Sequence, residues 1–136
     1  RDRVGDLIEP VGLDGFADSH PGELSGGMAQ RVSLARGLAY DPSVLLLDEP
    51  FSALDRLTKA DQQDHLLDVW EQRGTTVVLV THDVEEAVYL ADRVVVLAGQ
   101  PGTVASVVDV DVERPRERAD PDLVALRREV TDALGR

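Results

Sequence analysis

The stretch SVLLLDEPFSALD, Ser43 to Asp55, decides the fold. Val44 to Leu47 is an unbroken apolar run, too short for a helix and bounded by the breakers Asp41-Pro42-Ser43 and by Asp48-Glu49-Pro50. That pattern predicts a buried strand, followed by a loop over Asp48 to Asp55 and a helix from about Arg56. Two adjacent carboxylates at the end of a buried strand are costly unless something pairs with them. Mg²⁺ is a suitable partner, because it prefers oxygen and is held by few carboxylates plus phosphates. Asp48 at the strand tip would hold a Mg²⁺ water, and Glu49 on the loop would take a proton from an attacking water. The plainer alternative is a solvated loop with two acids.

Working upstream, LSGGMAQR (Leu24 to Arg31) places Ser-Gly-Gly directly before Met28, Val32, Ala35 and Leu38, which recur at helical spacing. Ser25 is a good N-cap, and Gly26 and Gly27 leave the first turn uncovered. Free backbone N–H groups at such a terminus suit a phosphate; a simple loop and cap is the alternative. This helix is expected to reach about Tyr40. Before it, Arg1 to Val11 reads as an amphipathic helix and Gly12 to Gly22 is turn-rich.

Downstream, the helix from Arg56 is expected to turn Leu57, Ala60, Leu67 and Trp70 inward and to end at Arg73-Gly74. Thr76 to Val80 reads as a second buried strand. Thr81-His82-Asp83 follows, with Asp83 as N-cap of a helix and Glu86 three residues on. His82 at that place would touch a reacting phosphate, or is simply a histidine at a helix terminus. His20 and His65 read as surface residues. Arg93 to Leu97 is a third strand, Gly99 to Gly102 a turn, and Thr103 to Val110 the returning arm of a hairpin. Glu113 to Asp120 reads as a linker and Pro121 to Leu134 as a last helix, with Leu123, Leu126, Val130 and Leu134 as its stripe. Strands alternating with helices, each strand nearly all apolar, predict an α/β fold whose mostly parallel sheet is covered on both faces. In such sheets the chemistry lies beyond the carboxyl ends of the strands, where Asp48, Glu49 and His82 fall.

Composition narrows the class. The 136 residues are 43% hydrophobic and 29% charged, in keeping with one modest globular domain. No apolar run approaches a membrane span, and the first residues, RDRVGDLIEP, lack the apolar core of a signal peptide. There is no cysteine, so disulfides and thiolate metal sites are excluded. A net charge of −12, from 14 basic and 26 acidic residues, argues against nucleic acid or an anionic membrane surface as partner.

LSGGMAQR, LLLDEPFSALD and VTHD, in that order, resemble the ATP-binding subunit of an ABC transporter. LSGGMAQR resembles the signature motif, LLLDEP the Walker B strand, SALD the D-loop, and His82 the switch histidine. The resemblance implies a P-loop NTPase-like, RecA-like fold. It divides the chain into the end of a helical subdomain (1–24), part of the ATPase core (25–112), and a C-terminal linker and helix (113–136). No G-x-x-x-x-G-K-S/T occurs anywhere, and the only lysine, Lys59, follows Thr58. The expectation is therefore a C-terminal part of the subunit, without Walker A loop and Q-loop, and inactive by itself.

The resemblance also implies partners and roles. ATP and Mg²⁺ would be the cofactors, with Asp48 serving the metal, Glu49 as general base and His82 contacting the γ-phosphate. Ser25, Gly26 and Gly27 would face the nucleotide held by a second ATP-binding subunit in a head-to-tail dimer, and Asp55 would link the two sites. Transmembrane permease subunits would anchor the protein at the cytoplasmic face of the membrane, and a periplasmic-type solute-binding protein would act indirectly. THDVEEAVYLADRVVVL, the Pro-Gly turn, ERPR and DPDLVALRREV resemble the nitrate, sulfonate and taurine importer branch. The alternatives are a soluble, non-transport ABC ATPase and an inactive remnant.

Overall fold

The computed structural model describes residues 32, 35–37 and 39–135. Contacts divide the chain into two compact units, Arg1–Val80 and Thr81–Arg136, each with its own two-stranded sheet.

In the first unit, helical residues 35–37 and 39 lead into a turn at Tyr40, with Ala35 buried. Asp41 (φ 52°) and Pro42 end the helix where the breakers predict. Strand β1 (Val44–Asp48) pairs in parallel with β2 (Thr76–Val80), Val44 opposite Thr76 and Asp48 opposite Val80. Between them runs helix α1 (Arg56–Arg73), capped by Asp55 and closed by Gly74 at φ 65°. Only glycine adopts that left-handed conformation without strain, which is why Arg73-Gly74 is legible as a helix end.

Two expectations change in this unit. The sequence predicts both faces of the parallel sheet covered, but Val44, Leu46, Val78 and Val80 are exposed on one face. Leu45 is buried on the other, with Leu47, Val77 and Leu79 half-buried beside it. A continuous apolar run encodes cover on two sides; among the described residues only one side receives it. In α1 the stripe is rotated. Leu57 is 84% exposed, and the buried residues are Gln62, Gln63, Leu66 and Val69. The helix is polar all round, so its few apolar residues do not define a dominant face, and two glutamines go inside.

In the second unit, helix α2 (Val84–Leu90) is followed by the antiparallel hairpin β3 (Arg93–Ala98) and β4 (Thr103–Asp109), and then by helix α3 (Pro121–Leu134). Period-2 alternation turns Val94, Val96 and Val108 inward. Leu123 and Val130 of α3 are buried as well, and α3 packs on the hairpin and on α2. A register shift between Val96 and Leu97 sets Leu97 opposite Val104, so the exposed pairs Val95–Val107 and Leu97–Val104 share the outer face. Asp120 accepts from the Asp122 amide at 2.8 Å and Pro121 opens α3, which is why DPD is legible as a helix start. Among the described residues, no helix is long and apolar enough to cross a membrane.

Candidate functional site

The acidic pair lies where β1 ends. Asp48 is the last strand residue, exposed, and paired with Val80 of β2. Glu49 leaves the pleat at once, with φ 50°. A non-glycine residue there costs on the order of 1–3 kcal/mol and persists only where its surroundings impose it. Here the restraints are visible. The Glu49 amide donates to the Val80 carbonyl at 2.8 Å, extending the parallel ladder by one bond. The Glu49 carbonyl accepts from the Ser52 amide (3.4 Å) and the Ser52 hydroxyl (3.2 Å). Phe51, 2% exposed, anchors the turn in the core.

Asp55 ends this turn as N-cap of α1. Its carboxylate accepts from the Thr58 amide and the Thr58 hydroxyl, both at 2.9 Å. Those bonds, the amide first, hold the carboxyl below the usual aspartate range.

In the second unit His82 is exposed and stands directly before Asp83, the N-cap of α2. The Thr81 hydroxyl accepts from the Asp83 amide at 3.0 Å, spanning His82, and Asp83 accepts from the Glu86 amide at 3.3 Å. The backbone that carries the histidine is thus tied on both sides. Ser25, Gly26 and Gly27 lie outside the described residues.

Asp48 suits a magnesium ion. It is a single exposed carboxylate at a strand tip, and Mg²⁺ characteristically takes one or two carboxylates and completes its shell with water and phosphate. Among the described residues no three histidines or carboxylates gather into a closed metal cage, so a tightly enclosed ion such as structural zinc is not what this donor set fits.

A family profile for ABC transporters matches residues 1–52. The chain is 54% identical over 131 residues to the aliphatic sulfonates import ATP-binding protein SsuB 1 of Pseudomonas savastanoi pv. phaseolicola, covering 96% of this chain and 55% of that protein. The chain is similar to ATP-binding proteins of ABC transporters. The aliphatic sulfonates import ATP-binding protein SsuB of Bacillus thuringiensis subsp. konkukian is 48% identical over 130 residues, covering 96% of this chain and 52% of that protein. The chain therefore spans about half the length of the curated relatives it matches. Among solved structures, a dimeric bacterial ABC transporter cassette superposes with TM-score 0.70 at 34% identity, over 82% of this chain and 47% of that one. A post-hydrolysis dimer of the cassette, bound to ADP and phosphate, superposes equally well. The fold is thus the α/β fold of ABC ATPase cassettes.

Two features escaped the sequence reading. The left-handed backbone at Glu49 has no glycine to announce it. The segment Glu113 to Asp120, read as a linker, is instead docked: Arg116 is 6% exposed and donates to five backbone carbonyls. Alternating Arg114, Arg116 and Arg118 was its only trace.

Proposed function

We propose that this chain is the C-terminal half of an ATP-binding subunit that hydrolyses ATP to drive an importer of aliphatic sulfonates or similar solutes, nitrate or taurine among them. The observation that carries the reading is the Glu49–Val80 bond. It ties the acidic strand end to the end of β2, two residues before His82 in sequence. The ordered motifs, the relatives' names and the dimeric cassettes support the same reading.

In this reading residues 1–24 end the helical subdomain, 25–112 belong to the ATPase core and 113–136 form the C-terminal docked segment and helix. Asp48 would hold Mg²⁺, which supplies charge neutralisation for the phosphates. Glu49 accepts the proton of the attacking water, and His82 holds that water and the γ-phosphate in line. Catalysis is then mostly positioning and charge stabilisation. Ser25, Gly26 and Gly27 offer a hydroxyl and backbone donors to the nucleotide on a second subunit, so the site is complete only in a head-to-tail dimer. Asp55 lies in the loop that links the two sites, and its capping of α1 stiffens that loop. The subunit sits peripherally on the cytoplasmic face of the membrane, against transmembrane permease subunits. A periplasmic-type binding protein delivers the solute from the other side.

Reconstitution of the complete subunit with its permease tests the reading. ATP hydrolysis is expected to rise when the binding protein carries an alkanesulfonate, taurine or nitrate. Stimulation by sugars or amino acids, with none from these oxyanions, would refute the solute class.

A further inference from the structure

Helix α2 is short, and the residue at its carboxyl cap is Ala91, in extended backbone, and not a glycine. Its last internal bond runs from the Ala91 amide to the Ala87 carbonyl at 3.0 Å. The carbonyls of residues 88–91 are then left over, and the sequence Leu90-Ala91-Asp92-Arg93 has no glycine to fold back over them. Two arginines from the segment after β4 take all four. Arg116 Nη1 donates to the carbonyls of Ala91 (2.7 Å), Tyr89 (3.1 Å) and Val88 (3.3 Å). Arg114 Nη2 donates to the Leu90 carbonyl at 2.8 Å, while its Nη1 pairs with Asp92 at 2.6 Å. The remaining Arg116 donors reach the carbonyls of Val112 (2.9 Å) and Val110 (3.2 Å), so the segment wraps its own arginine. Arg118 lies over the Tyr89 ring at 3.9 Å.

A cation at a helix carboxyl end is favoured by the helix dipole. Burial and the neighbouring Arg114 guanidinium hold Arg116 below the ordinary arginine range, and the carbonyls offset that cost. A helix this short is not stable by itself and takes its position from what holds its ends. One end is held by Asp83 and the Thr81–Asp83 bond around His82, and the other by Arg116.

We propose that Arg116 is a positioning residue for ATP hydrolysis, setting His82 through α2 by clamping the helix's carboxyl end. The proposal rests on the reading of His82 given above.

The test uses the complete ATPase, with Arg116→Lys, Arg114→Gln, His82→Ala and the two arginine changes each combined with His82→Ala. Lysine keeps the charge but lacks the planar fork that spans several carbonyls. Arg116→Lys is expected to lower kcat about 10- to 100-fold, the scale of a small misplacement at a reacting centre, while KM for ATP holds. Arg114→Gln, which frees fewer carbonyls, gives a smaller fall and reports if Arg116→Lys fails to fold. In the His82→Ala background neither arginine change lowers kcat further. Wild-type kcat in both arginine variants would overturn the clamp and leave the His82 reading intact. So would the same fractional loss with and without His82. Wild-type hydrolysis by His82→Ala would overturn the His82 reading itself, and the clamp's role with it.

Discussion

The amide of Glu49 donates to the carbonyl of Val80 across 2.8 Å, although Glu49 has already left the strand with a left-handed backbone. The bond makes the acidic loop an extension of the sheet, so the carboxylate assigned as base hangs from the end of a ladder. Displacing β2 would pull on Glu49 directly.

Gly74 gives a clean test of backbone strain. A Cβ added there meets nothing within 4 Å, and the backbone sits at φ 65°. Gly74→Ala is therefore expected to destabilise by about 1–2 kcal/mol through φ alone. Denaturant unfolding measures it; unchanged stability would show that the helix end relaxes.

Asp55 sets a dependence on pH. Its folded-state carboxyl titrates below the usual aspartate range because Thr58 donates twice to the charged form. The capping contribution is therefore full above the ordinary aspartate pKa and is lost only as pH falls through the lower, folded value. Hydrogen exchange at the Thr58 amide, followed from neutral pH into acid and referenced to an unstructured peptide, should keep its protection until below the ordinary range. Asp55→Asn should remove that acid step. Loss of protection at or above the ordinary value would contradict the assignment.

These two positions show what was legible in the sequence. Arg73-Gly74, Asp83 with Glu86, and Asp120-Pro121 are local signals, in which a residue satisfies its own neighbours, and each marks a helix end as read. The hairpin followed from the turn Gly99 to Gly102 set between two strand-length runs. What failed was long-range. Whether Leu57 or Gln62 faces inward depends on partners far along the chain. Nothing near Arg116 says that it will reach carbonyls more than 20 residues upstream. Asp48, Glu49 and His82 stand at or just beyond strand ends as the sequence placed them, because strand ends are readable, whereas the left-handed turn at Glu49 was not.

Ser25 tests the cross-subunit reading. In the complete subunit, Ser25→Arg is expected to leave nucleotide binding by the monomer nearly intact and to abolish hydrolysis, since the serine would serve the partner's nucleotide. Calorimetric titration of the monomer beside a turnover assay decides it. A fall in monomer affinity as large as the fall in turnover would contradict the assignment.

Glu49→Gln isolates the role of Glu49 as base. Glutamine keeps the size and hydrogen-bonding shape of the side chain but cannot accept the proton. Losing a general base costs about 10²- to 10⁴-fold in rate. Asp48 is untouched, so metal and nucleotide binding should survive, and the uncleaved ATP should hold the complete subunit as a closed dimer. The measurement is single-turnover hydrolysis of MgATP by Glu49→Gln, with size-exclusion chromatography of the same sample. A loss of that size together with a persistent dimer is expected; hydrolysis within a few-fold of the unaltered protein would show that Glu49 is not the base.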